Sequence, residues 1–155
     1  MPDDARTELI TDERALAAQL FNDAWALLEQ QSRTADEEDR LVHQAHASRF
    51  HWDNAGGDQQ RAIGEWQCAR VYATLGRAEP ALHHARRSIS YAGRVGVADW
   101  VAASAEEALA RGYAVAGERE LAQDARDRAR ALAEAVRDPE NREVVLADLD
   151  TLPIP

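Results

Sequence analysis

The chain has 155 residues, 45% of them hydrophobic and only 6% aromatic, with Ala plentiful and just 8 Gly and 5 Pro. That is enough chain for one domain with a real core, and the composition suits helices and argues against a sandwich or barrel. The formal net charge of −10 excludes non-specific attraction to phosphate backbones or anionic lipid, so neither nucleic acid nor membrane is an expected partner.

In chain order, Thr11 precedes a first helical stretch in which Leu16, Leu20, Ala24, Leu27 and Leu28 form an apolar stripe. Thr34 with Glu37 makes a capping-box pattern opening a second helix. The segment "RFHWDNAGGD", residues 49–58, reads as a turn after it, and Asp58 is placed to cap a third helix ending near Leu75. Gly76 suits a left-handed helix end, and Pro80 suits the first turn of a fourth helix reaching about Arg94. Asp99 stands near the start of a fifth, which ends before Gly117, and a sixth spans about Glu118 to Val136. Asp138-Pro139 then opens a short seventh, over "ENREVVLADLDTL". No segment alternates with period two, so no strands are predicted. The connections are short, which makes successive helices antiparallel neighbours.

Cys68 is the only cysteine, so no intrachain disulfide forms. It sits inside a helical pattern. The acidic start lacks the basic and apolar regions of a signal peptide, and no apolar run approaches the ~20 residues of a bilayer span, so a cytoplasmic location is expected.

The hairpins repeat. Ala69, Tyr72, Gly76 and Ala81 recur as Ala110, Tyr113, Gly117 and Ala122, each 41 positions later. A weaker N-terminal copy places Trp25 at 41 before Trp66, and Leu41, Ala45 and Ser48 at 40 before Ala81, Ala85 and Ser88. Small residues let helix backbones approach, and each Tyr is expected where the two helices of its own hairpin meet.

This spacing resembles the tetratricopeptide repeat (TPR), although the Trp, Phe and Pro slots of that pattern differ in both clear copies. The longer unit looks more like the variants of about 40 residues found in bacterial regulators and scaffolds than like the ~34-residue standard repeat. The resemblance implies an all-α, single TPR-like domain: hairpins at about 12–52, 58–94 and 98–136 stacked as a short right-handed superhelix, with a capping helix at about 139–150. Val144, Val145, Leu146 and Leu149 are suited to cover the last hairpin.

In that family the first helix of each hairpin lines a concave groove. The resemblance therefore implies groove residues Asn22, Trp25 and Glu29, then Ile63, Trp66 and Arg70, then Ser104, Glu107 and Arg111. Arg70 and Arg111 share a repeat position, and two guanidinium forks on one surface suit an acidic or carboxylate-bearing partner, with Trp66 as apolar anchor. Glu107 either neutralises Arg111 or selects a partner carrying a base. A plainer reading pairs both arginines with neighbouring glutamates, among Glu29, Glu65, Glu106 and Glu107, and puts Trp66 in the core.

The expectation is a protein- or peptide-binding module with no catalytic residue, no cofactor and no metal. His43, His46, His51, His83 and His84 form no convergent ligand set, and adjacent His83 and His84 do not both point inward. The alternative from another class is a small-molecule or metal pocket, enzymatic or not, built from His46, Trp52, Glu65, Trp66 and Arg70. Self-association as a homodimer through the end hairpins is a third option.

Overall fold

The computed structural model describes residues 3–154, and of residues 3–11 the backbone alone. The described chain is all-α: α1 (Asp3–Leu28), α2 (Ala35–Ala55), α3 (Asp58–Thr74), α4 (Ala78–Ala92), α5 (Asp99–Val115), α6 (Arg119–Glu134) and α7 (Pro139–Asp150). α1 packs on α2, α3 on α4, and α5 on α6, giving three hairpins; α7 lies against α5 and α6. The first helices also touch in series, α1 on α3, α3 on α5 and α5 on α7. One face of the molecule is therefore lined by α1, α3, α5 and α7.

Local chemistry sets the boundaries. Thr34 Oγ1 accepts from Glu37 N at 3.2 Å while Glu37 Oε2 accepts from Thr34 N at 2.8 Å, a complete capping box. Asp138 caps α7 by accepting from Asn141 N, with Pro139 in the first turn. Three expectations shift. α1 begins at Asp3, because nothing between there and Thr11 breaks a helix, and the Thr11 side chain lies outside the described residues. Residues 49–55 continue α2, so the turn is confined to Gly56-Gly57. Gly57, not Asp58, holds the N-cap position of α3, its N–H donating to Gln60 Oε1, and Asp58 pairs instead with Arg61 and Arg94.

The second and third hairpins reuse the same bonds. Gly76 and Gly117 turn the chain at φ 73° and 78°. After each, a backbone N–H reaches back to the tyrosine carbonyl: Arg77 N to Tyr72 O at 2.8 Å and Glu118 N to Tyr113 O at 2.9 Å. Arg87 Nε donates to Glu65 at 3.1 Å, and Arg128 Nε donates to Glu106 at 3.4 Å. The tyrosines, however, are half-buried and reach outside their own hairpins. Tyr72 OH meets His46 Nε2 of α2 at 2.7 Å, and Tyr113 OH accepts from Arg86 of α4 at 3.5 Å. They sit between hairpins because a phenol is too long for the Ala-lined seam inside each one.

That seam is built from small side chains. Ala17, Ala24, Ala62, Ala69, Ala81, Ala85, Ala103, Ala110, Ala122, Ala125 and Ala129 are buried, with Leu41, Val71, Val101, Val145 and Leu149 filling the gaps. The sequence stripe of α1 is rotated from its expected position: Ala17, Ala24 and Leu27 are buried, while Leu16 is 44% exposed. In α7, Val145 and Leu149 cover the last hairpin as expected, but Val144 is 62% exposed.

Register in the first hairpin follows from a shared device. Ser48 Oγ donates to Ala17 O and Ser88 Oγ to Ala62 O, both at 2.8 Å, but the partners lie 31 residues apart in the first case and 26 in the second. The longer connection after α1 and the longer first turns of α2 before Ser48 take up the difference. It places Phe21, and not Trp25, in the slot that Trp66 fills in the second hairpin.

Candidate functional site

Trp25, Trp66, Arg70, Glu107 and Arg111 form one continuous chain of contacts on the α1–α3–α5–α7 face. Trp25 is one helical turn beyond the slot equivalent to Trp66, so the two indoles stack, with centroids 5.5 Å apart and planes at 28°. The Arg70 guanidinium lies over Trp25, 5.8 Å from its centroid. Trp66 Nε1 donates to Glu107 Oε2 at 3.3 Å.

Glu107 is the hub, with its side chain only 1% exposed. Arg111, one turn along α5, donates to Glu107 Oε1 through Nε at 2.8 Å and also through Nη2. The same Nη2 reaches α7, donating to Asp148 O at 3.2 Å and Thr151 Oγ1 at 2.7 Å. Arg70 Nη1 stands 3.6 Å from Glu107 Oε1, too far for a hydrogen bond, and this buried nitrogen has no other partner among the described residues. Burial first, and then the Arg111 charge, push the Arg70 guanidinium below its ordinary range, against the pull of Glu107 and Asp148. The other two residues implied for the first helix, Asn22 and Glu29, are exposed, whereas Ile63 and Ser104 line the recess described next.

Beside this chain a recess of about 360 Å³ opens between the four helices, walled by Phe21, Ile63, Trp66, Trp100 and Val145, with Val144 at its lining and Ser104, Asn141 and Asp148 as polar groups. A smaller one of about 150 Å³ adjoins it, sharing Phe21 and Ile63 and extending to Trp52 and Asn22. Sequence reasoning missed Phe21, Trp100 and Asp148. Asp148 had a signal, since it stands as far beyond Glu107 as Glu107 stands beyond Trp66. Burial, and then the Glu107 carboxylate, raise the Asp148 carboxyl above the usual range, opposed by Arg70 and Arg111.

The alternative set does not converge. Glu65 follows a different face of α3, into the α2–α4 seam, where it accepts from Arg49 Nε at 3.0 Å, His84 Nδ1 at 2.6 Å and Arg87 Nε at 3.1 Å. Burial alone would raise this carboxyl, but the His84 hydrogen bond and charge, then Arg87 and Arg49, bring it down to about 2. Gly64 makes room for the network, since a Cβ there would stand 2.8 Å from Arg49 Cδ. His46 joins it through Tyr72, and its ring lies 5.2 Å from that of His84. Trp52 lies apart, beneath the Arg14 guanidinium at 5.2 Å. His84 points into this seam and His83 out to solvent. Among the described residues no group of three or more His, Cys, Asp or Glu is placed to hold a metal, and no helix is long and apolar enough to cross a membrane.

The chain matches no protein-family model, and neither a curated protein nor a solved structure is significantly similar to it. What fold and site define is an all-α stack of hairpins that presents an aromatic-walled recess, with a neutralised buried ion cluster beside it.

Proposed function

We propose that this is a binding module of TPR-like build that takes an extended protein or peptide segment along its α1–α3–α5–α7 face. The observation that carries this is the pair of adjoining apolar recesses. They share the Phe21–Ile63 wall and run from Trp52 on one side to Asp148 on the other, a shape that suits successive side chains of one chain better than a single compact ligand. Rigid indoles at the centre, surrounded by polar groups, match the composition of binding hot spots. The bonds that recur between the second and third hairpins, and the helix order, support the repeat reading. An acidic partner gains less support, because Nε and Nη2 of Arg111 are engaged within the protein and the unpaired nitrogen of Arg70 is buried.

The test is selection of a random peptide library displayed on phage against the intact protein, followed by counter-selection on Val144→Trp. Val144 is exposed and lines the larger recess, so the indole obstructs it without disturbing the core. Peptides that the wild type retains and Val144→Trp releases support the reading. If no peptide is enriched, or all enriched peptides bind both proteins equally, the reading fails.

A further inference from the structure

Four charged groups meet where α3, α5 and α7 come together: Arg70, Glu107, Arg111 and Asp148. Three of them are occupied with one another. Glu107 takes the Arg111 fork and the Trp66 N–H, Arg111 also holds Thr151 and a carbonyl of α7, and Arg70 leans on Glu107 and on the face of Trp25. The fourth is not. Among the described residues neither a hydrogen bond nor an ion pair engages the Asp148 carboxylate, although Asp148 lines the larger recess. It is also the single charged residue in that lining; the rest is aromatic, aliphatic or neutral.

Resting on the peptide-binding reading above, we infer that the larger recess receives a lysine or arginine side chain of the partner, its stem along the walls of Trp66 and Trp100 and its cationic end on the Asp148 carboxylate. The recess fits such a group in each respect. Long basic side chains lay their methylenes on apolar surface and present a charge only at the tip. Tryptophan is the ring that attracts a cation best. A carboxylate in a recessed, partly dry place gives a stronger charge-assisted bond than one on open surface. Burial and the Glu107 charge hold the Asp148 carboxyl above its usual range despite the nearby Arg70 and Arg111 charges, so a cation in direct contact still stabilises the carboxylate. The net charge of −10 also draws a basic partner and repels an acidic one.

The probes are the N-acetyl N-methylamides of lysine, arginine, norleucine and glutamate, titrated into 15N-labelled protein while the indole N–H resonances of Trp66 and Trp100 are followed. Lysine and arginine should shift both saturably and bind about tenfold tighter than norleucine, with glutamate weakest. Asp148→Asn should erase the preference for lysine over norleucine. Its fold is expected to survive, because Arg111 bonds to the Asp148 backbone carbonyl and not to its side chain. Val144→Arg is the second variant: it places a guanidinium one helical turn before Asp148, on an exposed position, and should weaken the lysine probe by supplying the cation internally. Equal binding of norleucine and lysine, tighter binding of glutamate, a lysine preference that persists in Asp148→Asn, or no saturable shift at either indole each overturns the inference. Failure here is separable from failure of the wider reading. Groove-dependent peptides lacking a base sink only the inference, whereas a lysine-selective recess in a protein that retains no peptide sinks only the reading.

Discussion

Trp66 and Glu107 stand 41 positions apart in the sequence and meet in space, the indole N–H of α3 donating to the buried carboxylate of α5 at 3.3 Å. Positions at the 41-residue spacing are thus in contact with each other, and Glu107 holds Trp66 and Arg70 of α3 together with Arg111 of its own helix.

Replacing Glu107 with Gln should therefore destabilise strongly, by about 3 kcal/mol or more, because Arg111 and Arg70 are left buried without an anion. Urea unfolding measures it. The pair Glu107→Leu with Arg111→Met should cost less than the single change, since it leaves one buried guanidinium, that of Arg70, without an anion instead of two. A single-variant loss below ~1 kcal/mol would show that the cluster is wet and weak.

Gly76 and Gly117 occupy left-handed backbone, at φ 73° and 78°, and neither would meet a neighbouring atom if a Cβ were added. Alanine at either position should thus cost about 1 kcal/mol for backbone reasons alone. Gly93 also ends a helix but keeps φ at −78°, so Gly93→Ala should be neutral or mildly stabilising. Equal thermal-melt shifts for all three variants would refute this account.

Acid should lower the stability over two separate pH ranges. His46 is held below 6.5, first by burial and then by the His84 charge, so the unfolded chain binds that proton more readily and stability begins to fall as pH drops through about 6.5. Glu65 is held at about 2 instead of 4.5; its contribution is full above 4.5 and is lost as pH falls towards 2. Both act in the same direction. The groups facing them are His43 and Arg49 on α2, Tyr72 on α3, and His84 and Arg87 on α4. Unfolding free energy measured against pH should show a shallow upper limb that His46→Gln removes and a lower limb that Glu65→Gln flattens.

Cys68 is wholly buried, and burial, then the Glu65 charge, push its thiol up to about 12. A thiol-specific disulfide reagent at pH 8 should modify it no faster than the protein opens, and promptly in denaturant. Rapid labelling of the native protein would contradict the burial.

Much of the fold was legible in the residues because its punctuation is local. Thr34 with Glu37, Asp138 with Pro139, and Gly76 with Gly117 each act within one turn of chain, and each stands where the sequence placed it. The α1 register was not legible, since Trp25 and Trp66 share the 41-residue spacing by identity while the Ser48–Ala17 bond shows that the longer stretch before Ser48 moves α1 by one turn. The five groove residues do come together, yet both arginines face the one carboxylate of Glu107, and only the three-dimensional arrangement reveals that Asp148 stands beside them without a bond of its own. Asp148 was hidden because α7 reads as a cap, whereas it also supplies a wall of the recess.

Glu65 and Trp66 are neighbours in sequence and are tethered on different sides of α3, one by cations from α2 and α4, the other by the carboxylate of α5. α3 behaves as an axle seated in two bearings: turning it either way breaks a bond to one side or the other. α7 has no such seating, touching only α5 and α6 and tied to the site through Arg111. Loss of the Arg111 bonds to the Asp148 carbonyl and to Thr151 would therefore loosen α7 while leaving both bearings of α3 in place.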